Sequence, residues 1–80
     1  MRKADSVQLT VKLFAYFREG RFKREALAFP DGATVEDIIR SFDIDLKEVG
    51  VTMINSRHCA LDQVPEEGDQ LAIFPAIGGG

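Results

Sequence analysis

One helical stripe, set among runs that alternate with period two, does most to limit how this chain can fold. Val35, Ile38, Ile39 and Phe42 fall at i, i+3, i+4 and i+7, the spacing of a single apolar helix face. Thr34 stands where an N-cap is needed, and Asp37, three residues on, matches the acidic partner of a capping box. Glu36 and Asp37 also place negative charge in the first turn, where the helix dipole favours it. The spacing predicts one main helix over Val35 to Phe42. A lone amphipathic helix must bury its stripe against something else, and the rest of the chain offers strands.

Val7 to Ala15 alternates strictly, with Val7, Leu9, Val11, Leu13 and Ala15 on one face and Gln8, Thr10, Lys12 and Phe14 on the other. Tyr16 to Arg24 is a connector, and Glu25 to Phe29 alternates again, predicting a second strand antiparallel to the first. Pro30-Asp31-Gly32 stops it. After the helix, Ile44 to Val49 reads as a single helical turn or loop, and Val51 to Ile54 as a third strand. Asn55-Ser56-Arg57 reads as a turn, since asparagine tolerates the left-handed region, and His58 to Leu61 as a short fourth strand. Asp62 to Asp69 is a polar loop, and Gln70 to Phe74 is the last strand, with Pro75 expected to end ladder pairing. The order β-β-α-β-β-β predicts an α+β fold of the β-grasp kind: one mixed sheet of four to five strands with the helix across one face. The domain is expected to span residues 1–75, with its last strand central and residues 76–80 as a flexible tail.

Eighty residues suffice for one small domain, which buries only about 60% of the surface its unfolded chain exposes. The single cysteine, Cys59, excludes an intrachain disulfide and a cysteine-based zinc cluster, and the single histidine, His58, excludes a multi-histidine metal site. No metal and no bound cofactor are expected. A net charge of −3 gives no general pull toward nucleic acid or an anionic membrane. No apolar run approaches the roughly 18 to 20 residues of a membrane span. The polar start, Met1 to Ser6, predicts no secretory signal, and a lone thiol fits a reducing cytoplasm.

Gly78-Gly79-Gly80 follows the last strand closely. A thread without side chains passes through a channel too narrow for any Cβ and takes up positive φ without steric cost. From Pro75 it spans about 17 Å at roughly 3.4 Å per residue. One reading is a carboxylate that reacts on Gly80; the other is a chemically silent end.

The ordered motifs decide between them. Val11-Lys12-Leu13-Phe14-Ala15 followed by Arg18-Glu19, the helix start Ala33-Thr34-Val35-Glu36-Asp37, Ile54-Asn55 at the close of the third strand, and Glu67-Gly68-Asp69-Gln70-Leu71-Ala72-Ile73-Phe74-Pro75 before the glycines resemble the ubiquitin-like sulfur carrier family. That family includes the small subunit of molybdopterin synthase and the thiamine-pathway sulfur carrier, and the resemblance covers nearly the whole chain. The molybdopterin type usually continues Pro-Pro-Val-x-Gly-Gly, whereas Ala76-Ile77-Gly78 here is closer to the thiamine type. The first strand, in turn, lacks the thiamine type's short Asn-Gly hairpin.

The resemblance implies a protein cosubstrate rather than an enzyme, or a small synthase subunit if it pairs with a molybdopterin synthase large subunit. The Gly80 carboxylate would be adenylated by an ATP-using, E1-like adenylyltransferase, converted to a thiocarboxylate with sulfur from a donor enzyme, and used by a synthase large subunit or a thiazole synthase. Molybdopterin or tungstopterin synthesis is the favoured destination, thiamine thiazole synthesis the next. A protein modifier, a tRNA-thiolation carrier or a plain binding module are the alternatives. An α-carboxyl is ionised at neutral pH and ready to attack phosphorus. Gly79 and Gly80 would thread the channel, with Gly78 as slack. Phe74 matches a partner-contacting position of the family, and Phe14, Pro75, Ile77 and His58 are further docking candidates. Arg18, Arg21, Lys23 and Arg24, interleaved with Tyr16, Phe17 and Phe22, read as a solvated basic loop rather than an RNA site, with docking to an acidic partner surface as the alternative. Glu66, Glu67 and Asp69 read as a solvated acidic one, and Cys59 as structural.

Overall fold

A computed structural model describes residues 6–76. Its elements are β1 (Ser6–Leu13), β2 (Arg24–Pro30), α1 (Val35–Ser41), β3 (Val49–Ile54), β4 (Arg57–His58) and β5 (Gln70–Pro75). Short 3-10 turns at Ala15–Arg18 and Leu46–Glu48 complete them. The five strands form one sheet in the order β2-β1-β5-β3-β4. Only β1 and β5 run parallel; the other neighbours are antiparallel. This is the β-grasp arrangement expected from the sequence, with β5 at the centre.

The covered face follows from the alternation. Leu9, Val11 and Leu13 of β1, Ile54 of β3, and Leu71 and Ile73 of β5 meet Val35, Ile38 and Ile39 of α1 in one buried cluster. The capping box forms in full: Thr34 Oγ1 accepts from the Asp37 N–H at 3.1 Å, and Asp37 Oδ2 accepts from the Thr34 N–H at 3.1 Å. Thr52, the one buried polar residue among those described, donates its hydroxyl to the Cys59 carbonyl at 2.9 Å.

Several boundaries depart from the sequence reading. The first strand stops at Leu13, because Ala15 takes φ 56° and turns the chain into a 3-10 segment that drives Phe17 into the core; Ala15 itself is exposed. Phe42 caps α1 instead of extending it. The third strand begins two residues early, at Val49. The fourth is only two residues long and includes Arg57, because Asn55 and Ser56 both take positive φ (53° and 70°) and make a two-residue hairpin turn. Pro75 does not end the ladder. It is paired with Val49 and buried, a position open to proline because the bond that continues the ladder is made by its neighbour: the Ala76 N–H donates to the Glu48 carbonyl at 2.8 Å.

The charged side chains of the two loops are exposed, apart from the half-buried Asp69, as expected of solvated loops, and some of them also make bonds that tie the fold together. Arg21 donates to the carbonyls of Phe42 (2.9 Å), Phe17 (3.1 Å) and Asp43 (3.3 Å), clamping the β1–β2 connection onto the C-terminus of α1, where carbonyls lack helical partners. Phe17 is buried and Phe22 packs edge-on against Phe42, so two of that loop's three aromatic residues serve the core, while Tyr16 stays exposed. In the acidic loop, Asp69 accepts from the Glu66 N–H (2.8 Å) and the Asn55 side-chain amide (2.9 Å), while Glu67 accepts from the Gln8 N–H (2.9 Å). These bonds fix the point at which β5 enters the sheet.

Candidate functional site

The expected reacting residue Gly80, with Gly79, Gly78 and Ile77, lies outside the described residues. The structure defines the foot from which that segment departs. Phe74 and Pro75 close β5, which is held on both sides. Toward β1, the Phe14 N–H donates to the Ile73 carbonyl at 3.2 Å. Toward β3, Ala76 is fixed by the Glu48 carbonyl.

Gly50 makes that second attachment possible, and the sequence reading did not single it out. The ladder slips by one residue here, Val49 opposing Pro75 and Val51 opposing Phe74, so Gly50 is the extra residue of a bulge. A Cβ on Gly50 would sit 2.8 Å from the Ala76 Cα and 2.9 Å from the Pro75 oxygen. The backbone leading to the glycines crosses Gly50 at a distance that only glycine permits. The available signal was a glycine inside a run of β-branched and apolar residues, which marks a bulge or a close backbone approach.

The face opposite the helix is open. Phe14 and Phe74 stack there, ring centroids 4.1 Å apart and planes within 12°. Both are half-buried. The Arg18 guanidinium lies over the Phe14 ring, 5.5 Å from its centroid, within cation–π range. Its Nε donates to the Leu13 carbonyl at 2.7 Å, which sets the side chain in that position. Arg18, Phe14 and Phe74 thus form one group beside the strand that carries the tail. Val51, opposite Phe74, and Met53, opposite Ala72, add half-buried apolar surface to the same face. His58, opposite Met53, lies at its far edge and is exposed. Phe14, Phe74 and His58 therefore share a face, with His58 two strands away from the stack. Cys59 is half-buried against the core and held by its own backbone bonds to Thr52, at 3.0 Å from its N–H.

Tyr16 follows β1 and Glu48 precedes β3, so the two residues flank the end of β5. The Tyr16 hydroxyl is held above its ordinary pKa of 10.0, first by desolvation and then by the negative charge of Glu48. Among the described residues, no helix is long and apolar enough to cross a membrane, and no group of three or more His, Cys, Asp or Glu could hold a metal ion.

A central strand with a fixed end, an open aromatic face beside it and a glycine run beyond it define a ubiquitin-like carrier or modifier. The chain belongs to the ThiS family, whose model matches residues 11–80. No curated protein matches it. Solved structures agree on the fold. The Pyrococcus furiosus protein described as molybdopterin converting factor subunit 1 is 27% identical, with a TM-score of 0.71 over 89% of this chain and 99% of that one. The Haloferax volcanii protein HVO 2177 is 26% identical, with a TM-score of 0.78 over 100% and 92%. SAMP1 of Haloferax volcanii, a small archaeal modifier protein, is 25% identical, with a TM-score of 0.68 over 91% and 99%.

Proposed function

We propose that this chain is a sulfur carrier whose Gly80 carboxylate is activated and converted to a thiocarboxylate. The observation that carries the reading is the foot of the tail: β5 is central, its end is fixed through Gly50 and Glu48, and the half-exposed Phe14–Phe74 stack lies alongside. A partner gripping that stack holds the following five residues in a defined direction. The domain supplies position, and the partner supplies catalysis.

In the proposed sequence, a Gly80 carboxylate oxygen attacks the α-phosphorus of ATP. The bond to the β-phosphate breaks, pyrophosphate leaves, and an acyl-adenylate results. The terminal sulfur of a persulfide on a donor protein then attacks the acyl carbon and AMP departs. A second thiol reduces the acyl disulfide, leaving a disulfide on the donor side and a thiocarboxylate on Gly80. A synthase large subunit or a thiazole synthase takes the sulfur. The likeness to the Pyrococcus protein and the match of residues 67–75 to the molybdopterin pattern support a pterin dithiolene destination ahead of the thiamine thiazole. ATP belongs to the activating enzyme, and this chain holds no cofactor of its own in the scheme.

Intact mass spectrometry tests the proposal. After incubation with the activating enzyme of the same organism, ATP and a persulfide donor, the chain should gain the mass of one oxygen-to-sulfur exchange, and removal of Gly79-Gly80 should abolish the gain. No exchange on the full chain overturns it. The likeness to SAMP1 supports a second reading, a protein modifier. Lysine adducts that survive thiol reduction, formed without any thiocarboxylate, would install that reading instead.

A further inference from the structure

Lys12 of β1 stands directly opposite Arg24 of β2 on the open face. The bond from the Leu13 N–H to the Lys23 carbonyl, at 3.0 Å, makes the next pair along a hydrogen-bonded one. Bonded and non-bonded pairs alternate in an antiparallel ladder, so Lys12–Arg24 is of the non-bonded kind, whose side chains lie closer together. Like charges directly opposite each other destabilise a sheet. Among the described residues no carboxylate relieves either one: the only ion pair there joins Arg40 to Glu36. A chain with 13 acidic residues and a net charge of −3 has nonetheless set two cations face to face. The fold gains nothing from that arrangement.

Its neighbours indicate what does. Lys12 is also in register with Ala72, two residues before Phe74. Arg18, fixed over Phe14, adds a third cation on the stack itself. The open face therefore has an apolar centre of Phe14, Phe74, Val51 and Met53, and a basic rim along one side. We infer that Lys12, Arg24 and Arg18 are the charged rim of a docking surface that reads carboxylates on a protein partner whose apolar centre covers the Phe14–Phe74 stack. The inference rests on the carrier reading, in which that partner is the activating enzyme. Interfaces of this anatomy take their affinity from the apolar centre and their encounter rate and register from the rim. A single-stranded nucleic acid fits less well. Bases need free aromatic faces, and the Phe14 ring already has Phe74 stacked on it and the Arg18 guanidinium over it.

The test uses the full chain and the activating enzyme of the same organism. Binding is measured by calorimetry without ATP, and carrier-dependent ATP–pyrophosphate exchange is measured alongside over a range of sodium chloride concentrations. Lys12→Gln combined with Arg24→Gln should weaken binding and raise KM by about tenfold at low salt, and should flatten the salt dependence. Arg24→Glu is the sharper variant. It converts the like-charge pair into an opposite-charge pair, so it should raise the unfolding temperature while raising KM. A purely structural role would move stability and docking in the same direction. Unchanged binding, KM and salt dependence in both variants overturn the rim even if wild type is adenylated. Conversely, salt-sensitive binding lost in the variants, with no adenylation of wild type, upholds the rim and removes the carrier reading. Loss of binding to a mixed-sequence single-stranded RNA, with enzyme binding intact, overturns the protein-partner assignment.

Discussion

Leu71, Ile73 and Pro75 face the helix and are buried, whereas Ala72 and Phe74, interleaved with them on the same strand, face outward and are half-buried. One six-residue strand thus serves two purposes separated only by the period of the backbone. The inward set obeys packing alone: Ile73 and Leu71 are fully covered and touch α1's stripe through a continuous apolar cluster. The outward set is only partly accounted for by packing within a monomer. Two phenylalanines are stacked on an uncovered sheet, a lysine opposes an arginine, and an arginine is pinned over a ring. Covered-face residues can be explained from the fold; open-face residues acquire a reason when a partner is placed against them.

Neighbouring substitutions provide the strongest way to break this contrast. Ile73→Ala removes a fully buried side chain from the centre of the core and should cost about 2–5 kcal/mol of unfolding free energy, read from urea denaturation. Phe74→Ala, one residue on, should cost about 1–2 kcal/mol, chiefly half-buried area and the stack with Phe14. Its main effect should be a rise in KM for the activating enzyme. If Phe74→Ala proves as destabilising as Ile73→Ala and leaves KM alone, the two faces do the same work and the docking assignment of the open one is lost.

Gly50 offers a smaller and more specific probe, since it belongs to neither face. Gly50→Ala puts a methyl group against the Ala76 Cα and the Pro75 oxygen, both backbone atoms that cannot rotate away. The chain must shift, at a cost of about 1–3 kcal/mol. The shift falls on the departure point of the tail and leaves the Phe14–Phe74 stack in place. Thiocarboxylate formation should therefore slow while docking affinity, measured without ATP, stays near that of wild type. Loss of both together would mean that the bulge supports the sheet as a whole rather than the direction of the tail.

Much of this was legible in the sequence, for reasons that differ by residue. The helix was readable because Val35, Ile38, Ile39 and Phe42 give a period and Thr34 and Asp37 give a cap, and both signals are local. The placement of Phe14 and Phe74 on one face followed from alternation along two strands. The turn at Ala15 was hidden because alanine carries no mark of positive φ, so the alternation seemed to continue through it. The clamp made by Arg21 was hidden because its acceptors are backbone carbonyls 21 and 22 residues away, which no spacing rule reports. The opposition of Lys12 and Arg24 required a register, and a loop-connected pair of strands does not fix one from sequence alone. The continuation of the ladder through Pro75 is hidden because proline signals only its own missing donor, while the bond that matters is made by Ala76.

The contrast of the two faces has its finest expression at Tyr16 and Phe17, adjacent rings packed edge to face at 5.1 Å, one 46% exposed and the other 2%. Tyr16 is the only tyrosine and the chain has no tryptophan, so phenolate absorbance reports it without interference. Desolvation and the Glu48 charge favour its neutral form, so its titration midpoint should lie above 10.0. Glu48→Gln removes the charge contribution and should move the midpoint back toward that value. The sign for stability follows. A folded-state pKa raised above the unfolded one adds stability below about pH 10 that is lost as pH rises through the folded value, and Glu48→Gln should shrink that loss. Because Tyr16 and Glu48 stand on either side of the end of β5, the same titration also reports whether the foot of the tail keeps its shape. A midpoint that Gly50→Ala lowers as much as Glu48→Gln does would show that the bulge, and not the sheet alone, holds Glu48 opposite Tyr16.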